Sequence, residues 1–577
     1  KMISLLPMKR RHFLKTMSSF APGVLSVPLA GSSNLKSYNQ TGFYTPQEPR
    51  VFMFDDGRHA GGLYQMEPPL TSADHTYNVD QLANSGVDTL VYFAGVEGGT
   101  VLYDSKVAEL WGTVVKKWTH YVWYRAGRVL RQLIDDGHDP LKLLCDRCHE
   151  TGILMLASAW VSLHGGTRAE QEGLGRWSSF ALDNPQFHVG PDPDPRAKGI
   201  LTSRFSFMHT EVREERFRVF KEMLSQYETD GIELNLTSQM PYCQFSEVSQ
   251  LAPLMTQWIR TLRAQADKAQ QAQGRRKRIY VRIPAHPASW DMVGYDIPTW
   301  VAEHLVDGLF CVSSYGEDEG MDQDLDLKPI VKLTRGTKCR VLYAFHNNLG
   351  RQLARYATPT MIWAAAANTY TQGADGFGIG DHHWTPNGWP WTAQEYNTLR
   401  LLGHPELLAT VNKLYHVRST SSSMPSMAWL PGRVSLLPKE LSEGESTEIP
   451  FQIADDLRYW HELGRVKSVK IRARFSNFQP HYDQIRIQLN GQNLGNSTLE
   501  KVDLTYRLLQ VGSIGPYGYA FDYHLGINEF PQPGRNFLKV TLLKRDPNID
   551  VKLSLYDVDC SIEYRLHRHF ESVPIGY

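Results

Sequence analysis

The sequence predicts an α/β fold, a (β/α)8 barrel of the TIM type followed by an all-β antiparallel sandwich. Three observations predict it. Eight short apolar segments alternate with amphipathic segments of helical period between residues 50 and 415, and glycine turns lead directly into several of the apolar segments. After about residue 420 the helical period disappears, and short segments that alternate between apolar and polar residues take its place.

The eight predicted strands are 51–54, 89–95, 153–160, 231–236, 279–284, 308–314, 340–345 and 376–380, and helical segments include 121–150, 211–227, 248–270, 297–305 and 357–372. The turns SGVD, ETGI, TDGI, LVDG and GADG are typical of helix ends that lead into a sheet. Eight such units with right-handed crossovers are the number that closes a barrel. A doubly wound open sheet is the alternative, but no glycine-rich phosphate-binding motif follows the first strand.

The C-terminal segments SVKIRARFS, DQIRIQLNG, NFLKVTLLKR and DVKLSLYDVDCSIEYR predict strands of a sandwich. Asn490–Gly491 is a hairpin signal within them. The segment PGRNFLKVTL is similar to the last strands of carbohydrate-binding-like modules. A sugar-binding role and a packing or lid role both fit this part of the chain.

Composition excludes several classes of protein. The 577 residues favour two or more domains, and 61 basic against 61 acidic residues leave no net charge to attract nucleic acid or an anionic membrane. No apolar run reaches the roughly 18–20 residues that span a bilayer. Six scattered cysteines are too few for a disulfide scaffold.

The N-terminal stretch MKRRHFLKT (8–16) matches the twin-arginine export pattern, and a mildly apolar stretch follows it. The alternative is a basic, disordered tail. The first interpretation predicts a signal peptide over 1–30 and a linker over 31–49, ahead of the barrel over 50–415 and the sandwich over 420–577. It also predicts a periplasmic or extracellular protein.

The motif CDRCH (145–149) fits covalent haem attachment, but its setting is that of a helix that ends at Gly152. Leu141, Leu144, Cys145 and Cys148 share one helical face, which predicts that both cysteines are small core residues. No cofactor is predicted.

The fourth strand carries a glutamate among apolar residues. Ile232, Leu234 and Leu236 are predicted to face the helices, which directs Glu233 and Asn235 into the barrel. In the fifth strand the same alternation directs Tyr280 and Arg282 inward. Glu233 and Arg282 are therefore expected either to form a buried ion pair that fills the barrel or to belong to an active site.

Other polar and aromatic residues follow the strand ends, where barrel enzymes keep their catalytic groups. The predicted substrate-binding residues are Asp55, Glu97, Trp160, His164, Asn235, Arg282, His346, His382, Trp384 and Trp389. The segment from Val161 to Thr210 is too long for an ordinary loop and is expected to form an irregular wall over the barrel mouth.

Cleavage of a glycosidic bond requires two acids, a proton donor and a nucleophile or base. The predicted catalytic residues are Glu233, Asp381 and Asp56. A neighbouring Arg282 stabilises the ionised carboxylate, which suits Glu233 to the charged role and leaves proton donation to Asp381 or another strand-end acid. A metal site at Asp381, His382 and His383 is the rival, but consecutive ligands rarely converge on one ion, and no metal is predicted.

The stretches DPLKLLCDRCHETGILMLASAW, HTEVREERFRVFKEMLSQYETDGIELNL and GADGFGIGD resemble exported glycoside-hydrolase-like barrel proteins abundant in planctomycetes and related bacteria. That family's Asp-Gly-x-Glu-Leu-Asp matches Asp230 to Leu234, with Asn235 in place of the last Asp. The stretch is also distantly similar to the chitinase motif Asp-Gly-x-Asp-x-Asp-x-Glu, whose final Glu is Thr237 here. A chitinase-type mechanism would therefore lack its proton donor.

The resemblance implies an exported protein that hydrolyses a complex polysaccharide or oligosaccharide, with carboxylates at the barrel mouth as acid/base or nucleophile. The alternative is a non-catalytic glycan-binding barrel. Neither nucleic acid nor a membrane span is expected.

Overall fold

A computed structural model of the protein describes residues 48–57, 63, 68–313, 321–345, 348–349, 355–380, 391–417, 429–431, 436–504 and 518–569. Residues 45–577 cluster as one compact unit. The predicted fold class is confirmed, because a closed barrel of eight parallel strands is followed by antiparallel sheets.

The barrel strands are β1 (Val51–Asp55), β2 (Thr89–Gly95), β3 (Leu154–Trp160), β4 (Gly231–Asn235), β5 (Arg278–Pro284), β6 (Gly308–Val312), β7 (Arg340–Phe345) and β8 (Gly376–Gly380). Each strand pairs in parallel with the next one along the chain, and β8 pairs with β1 to close the ring. The register places Trp160, Asn235 and Arg282 side by side, and Ser158, Glu233 and Tyr280 side by side one level below. This register decides which side chains share the barrel mouth.

The main helices are α1 (Ser72–Leu82), α2 (Tyr121–Asp135), α3 (Pro140–Thr151), α4 (Thr210–Ser225), α5 (Val248–Gln273), α6 (Ile297–Ala302), α7 (Lys328–Thr334), α8 (Pro359–Thr371) and α9 (Ala393–Leu402). Shorter ones are Arg168–Gln171, Ser179–Asp183, Trp290–Val293, Pro405–Leu408 and Leu457–Glu462.

The predicted helix over 121–150 is two helices, α2 and α3. The chain turns at Gly137, which has a φ of 85°, and the Asp139 carboxylate caps the first turn of α3 ahead of Pro140. Cys145 and Cys148 lie on the buried face of α3, which confirms that they are core residues. All six cysteines are buried and free.

Aromatic rings fill the interior of the barrel. Phe310 lies 5.1 Å, between ring centroids, from each of Phe52, Phe54 and Tyr280. Gly308 makes room for this cluster, because a Cβ there would lie 2.3 Å from the Tyr280 ring. The interior is therefore a packed core rather than a channel, as in other barrels of this class.

The C-terminal part contains two antiparallel sheets. The six-stranded sheet consists of Lys413–His416, Lys439–Leu441, Val466–Ser476, Leu499–Asp503, Tyr519–His524 and Leu553–Tyr564, and the four-stranded sheet of Ser446–Ile453, Gln484–Leu489, Gln492–Asn493 and Gly534–Lys544. Residues of both sheets share one apolar core, so they form the predicted sandwich. Asn490 and Gly491, both with positive φ, form the predicted hairpin turn.

Buried amide side chains join the barrel to the sandwich. Gln323, which follows β6, donates to the Leu414 carbonyl over 3.0 Å and accepts from the His416 amide over 2.6 Å. Asn368 of α8 donates to the Gln452 carbonyl over 3.0 Å. Gln323 and Asn368 are 4% and 1% exposed, so the junction contains hydrogen-bonded amides within a buried contact, although Asn368 Oδ1 accepts no hydrogen bond from a described residue.

His75 gives the packing of α1 against α3 a pH dependence. Its Nε2 lies 3.2 Å from the Pro140 carbonyl, and burial lowers the pKa of the ring to about 4. Because the unfolded chain binds this proton at a higher pH, the stability contributed by neutral His75 is lost as the pH falls from about 6.5 to about 4. We expect wild type to lose about 3 kcal/mol more than His75→Gln over this interval, measured by urea unfolding at both ends. Parallel pH dependence in the two proteins would contradict this account.

Candidate functional site

Glu233 and Arg282 form an ion pair inside the barrel. Arg282 Nε donates to Glu233 Oε1 over 2.9 Å, and the Ser158 hydroxyl donates to Glu233 Oε2. Glu233 has no exposed surface. The alternation predicted for the fourth and fifth strands is correct, and the carboxylate meets an arginine and a hydroxyl from its two neighbouring strands.

Two phenylalanines cover the Arg282 guanidinium. Its central carbon lies 4.0 Å from the Phe54 ring centroid and 5.2 Å from that of Phe93. Rings at this distance stabilise a cation and exclude water from it. The ion pair is thus enclosed by the aromatic core.

Asn235 ends β4 with a local turn. Its side-chain oxygen accepts from the Thr237 amide over 3.1 Å and from the Thr237 hydroxyl over 2.8 Å. Both residues are buried. The positions where the resembled motifs carry acids therefore hold an amide and a hydroxyl that bond to each other.

The two aspartates after Phe54 have different surroundings. Asp55 is fully buried and accepts from Asn78 of α1 over 2.8 Å and from the Gly57 amide over 2.8 Å. These bonds place Asp55 between β1 and α1 and fix the turn that follows the strand. Asp56, the predicted catalytic residue, is partly exposed.

An acid and an arginine pair beside the ends of β2 and β3. Glu97 forms an ion pair with Arg176, whose guanidinium carbon lies 4.8 Å from the Trp123 ring and 5.8 Å from the Trp177 ring. Glu97 Oε2 is buried and accepts no hydrogen bond from any described residue. We call Glu97, Arg176, Trp123 and Trp177 the rim cluster. It holds a charge pair in a fixed position against indole rings.

His164 contacts the rim cluster, and Trp160 ends the strand that precedes it. The His164 carbonyl accepts from the Trp177 indole over 2.9 Å, and burial lowers the pKa of the His164 ring to about 4, which keeps it neutral at physiological pH. Trp160 is partly exposed at the end of β3, with its ring 5.9 Å from that of Phe93. Trp160 thus offers an aromatic surface at the mouth.

Five predicted site residues lie outside the described residues: His346, Asp381, His382, Trp384 and Trp389. Their positions in the sequence follow β7 and β8 directly. The roles assigned to them and to the other site residues remain predictions.

Sequence reasoning missed Ser158, Trp123, Arg176 and Trp177. Ser158 could have been found, because it is the polar residue of β3 two positions before the inward-facing Trp160. Arg176 and Trp177 belong to the long segment after β3, which contains only short helices. No periodicity in such a segment shows which residues turn toward the mouth.

The described residues show neither a metal-binding cluster nor a membrane-spanning helix. Within the described ranges, no three His, Cys, Asp or Glu side chains are grouped as metal ligands would be. Among the described helices, none combines the length and apolar character needed to cross a bilayer.

No protein-family model matches the chain, and no curated protein matches it by sequence. Solved structures with distant similarity include the glycoside hydrolase domain of PgaB (BpsB) from Bordetella bronchiseptica, at 12% identity and a TM-score of 0.37, covering 61% of this chain and 98% of that one. A family GH18 chitinase from Chromobacterium violaceum matches at 10% identity and a TM-score of 0.35, covering 88% and 91%.

A cycloisomaltooligosaccharide glucanotransferase from Paenibacillus sp. matches at 11% identity and a TM-score of 0.31, covering 88% of this chain. This chain spans only 57% of that longer protein. Similarities at this level identify neither a reaction nor a substrate.

The buried ion pair can be tested by a double-mutant cycle. Glu233→Gln leaves the Arg282 charge without its carboxylate and should destabilise the protein by about 3–5 kcal/mol. Glu233→Gln combined with Arg282→Met should lose less than the sum of the two single losses, because the methionine fills the space between Phe54 and Phe93 without a charge. Urea unfolding of the four proteins measures the coupling, and strictly additive losses would contradict the pairing.

Proposed function

We propose that this protein binds a polysaccharide across the carboxyl-terminal mouth of its barrel. The observation that supports this most is Trp160, a partly exposed indole at the end of β3, the strand that leads to His164 and its bond to the rim cluster. Ligand sites of this class combine aromatic surfaces with a few fixed polar groups. Sugar rings present apolar faces that stack on indoles and hydroxyl groups that bond to carboxylates and guanidinium groups.

The rim cluster provides the fixed polar groups that such a site needs. Glu97 bonds to Arg176 and retains one carboxylate oxygen that no described residue satisfies. A buried acceptor of this kind costs free energy until a donor reaches it. A sugar hydroxyl is a suitable donor, so a glycan at this position would stabilise the cluster as well as bind to it.

Hydrolysis at the same mouth is the second candidate function. One observation favours it: Phe54 of β1 pairs with Gly380 of β8, so Asp56 and Asp381 follow paired positions of adjacent strands. Two acids at one edge are what glycosidic cleavage requires, with about 5 Å between carboxyl groups for retention and about 6.5–9.5 Å for inversion.

Glu233 fits binding better than cleavage in the observed conformation. A nucleophile must reach the anomeric carbon, and Glu233 is enclosed by Arg282, Ser158 and the aromatic core. For this reason we place glycan binding first and assign Glu233 the role of holding Arg282 beneath the mouth. An export signal at residues 8–16 would bring such a protein to extracellular or periplasmic polysaccharides.

Binding can be tested at Trp160. Trp160→Ala should weaken binding to the best of a panel of polysaccharides by about tenfold, because it removes the aromatic surface, and Trp160→Phe should restore part of the loss. Isothermal titration measures both. The matched control is Tyr482→Ala in the sandwich, an exposed aromatic residue that should bind like wild type. Equal affinity of Trp160→Ala and wild type would show that the mouth is not the binding site.

Hydrolysis has its own readout. If the mouth cleaves glycosidic bonds, Asp56→Asn should reduce the release of reducing ends by about a hundredfold or more while binding persists. The same loss is expected for Asp381→Asn, whereas Asp326→Asn, an exposed aspartate after β6, serves as the control. Wild-type protein that binds a polysaccharide and releases no reducing ends from it would exclude this second candidate.

A further inference from the structure

The segment before and within α2 has an unusual charge distribution. Residues 110–134 contain five lysines and arginines and no aspartate or glutamate, in a chain whose total charge is zero. The same residues include three tryptophans and two tyrosines. Basic stretches interleaved with aromatics are typical of surfaces that bind anionic polymers.

The structure places four of these cations on the surface. Lys116, Lys117, Arg128 and Arg131 are exposed, and none of them forms an ion pair with a described residue. We call them, together with Trp118, the basic face.

Trp118 occupies a position prepared by three glycines. A Cβ at Gly112, Gly127 or Gly175 would lie 2.5–2.8 Å from the Trp118 ring, so no other residue fits at these positions without displacing the indole. The ring is half-buried. An indole fixed in this way loses little conformational entropy when a ligand stacks on it.

A groove of about 330 Å³ runs beside this indole. Its walls include Trp111, Trp118, Arg128, Arg131 and Gln132, with Asp135 at one end. The Arg128 guanidinium also lies over the Tyr124 ring at 5.6 Å. The groove therefore combines a fixed aromatic surface with two guanidinium groups that can each bond to a carboxylate or sulfate through two nitrogens.

The basic face continues into the rim cluster. Gly175, which contacts Trp118, directly precedes Arg176, and the Gly112 amide donates to the Gly175 carbonyl over 2.8 Å. A polymer bound at the rim cluster can therefore continue along the protein surface to the basic face.

We infer that the basic face binds the acidic substituents of the polysaccharide, so that the ligand of this barrel is an anionic glycan that carries carboxylate or sulfate groups. This inference rests on the proposed function and specifies its substrate class. Because the chain has no overall positive charge and Tyr121 is the one aromatic residue of the segment that is strongly exposed, at 71%, the face suits a glycan better than nucleic acid or a lipid surface.

The test compares three polysaccharide probes that share the dextran backbone and have equal chain length. They are dextran, carboxymethyl-dextran and dextran sulfate. Wild-type protein should bind at least one charged probe about tenfold or more tightly than dextran, and the difference should shrink as salt is added. Arg128→Gln combined with Arg131→Gln should remove about tenfold of the affinity for the charged probe and leave that for dextran unchanged. Both arginines are exposed, so the melting temperature should not change.

The matched control is Arg486→Gln with Lys544→Gln, which removes two exposed cations from the sandwich. Unchanged affinity of the α2 variant, or an equal loss in the control, would overturn the inference. The inference would also be overturned if duplex DNA or phosphatidylserine vesicles bound more tightly than either charged dextran and that binding depended on Arg128 and Arg131. Neutral glycan binding that depends on Trp160, with no preference for charged probes, would overturn this inference alone. No binding of any polysaccharide would overturn the proposed function as well.

Discussion

The pairing of Glu233 with Arg282 is the constraint around which the upper barrel is organised. A carboxylate and a guanidinium without access to water are tolerated only when each satisfies the other and the surrounding groups complete their bonds. Here the Ser158 hydroxyl also bonds to the carboxylate, Phe54 and Phe93 cover the cation, and Arg282 Nη2 has no hydrogen-bond partner among the described residues. Side chains of five strands, β1 to β5, thereby meet at this level, and the mouth above it has a rigid floor.

A rigid floor changes what the mouth is able to do. Among the described residues, the groups near the mouth that a ligand could contact include Asp56 after β1, the rim cluster and Trp160 at the end of β3. In barrels that cleave sugars, acids at the strand ends reach the bond that breaks. In this protein the central acid is enclosed, while an indole and a fixed charge pair lie near the strand ends, and the proposed glycan binding rests on this difference.

Much of this architecture could be predicted from the sequence, because the strands are short apolar runs and their alternation reports which side chains point inward. The orientation of Glu233 and Arg282 followed from that period. The partners of Asp55 could not be predicted in this way, because β1 continues one residue further than predicted and directs Asp55 toward Asn78 of α1. The position of Arg176 could not be predicted either, because an irregular segment has no hydrophobic periodicity that shows which residues point inward. The stretch around α2 without acidic residues can be seen in the sequence, but only the structure shows that its cations are exposed and can contact a ligand.

The amide bonds at Gln323 and Asn368 bear on how the two halves of the molecule can work together. A module on a flexible tether searches a volume and gains avidity through its effective concentration. The sandwich here is instead fastened to the barrel through buried polar bonds within one compact unit. Its outer surface keeps a constant distance and angle from the barrel mouth, so a long polymer could touch both only if its own curvature matched that fixed geometry.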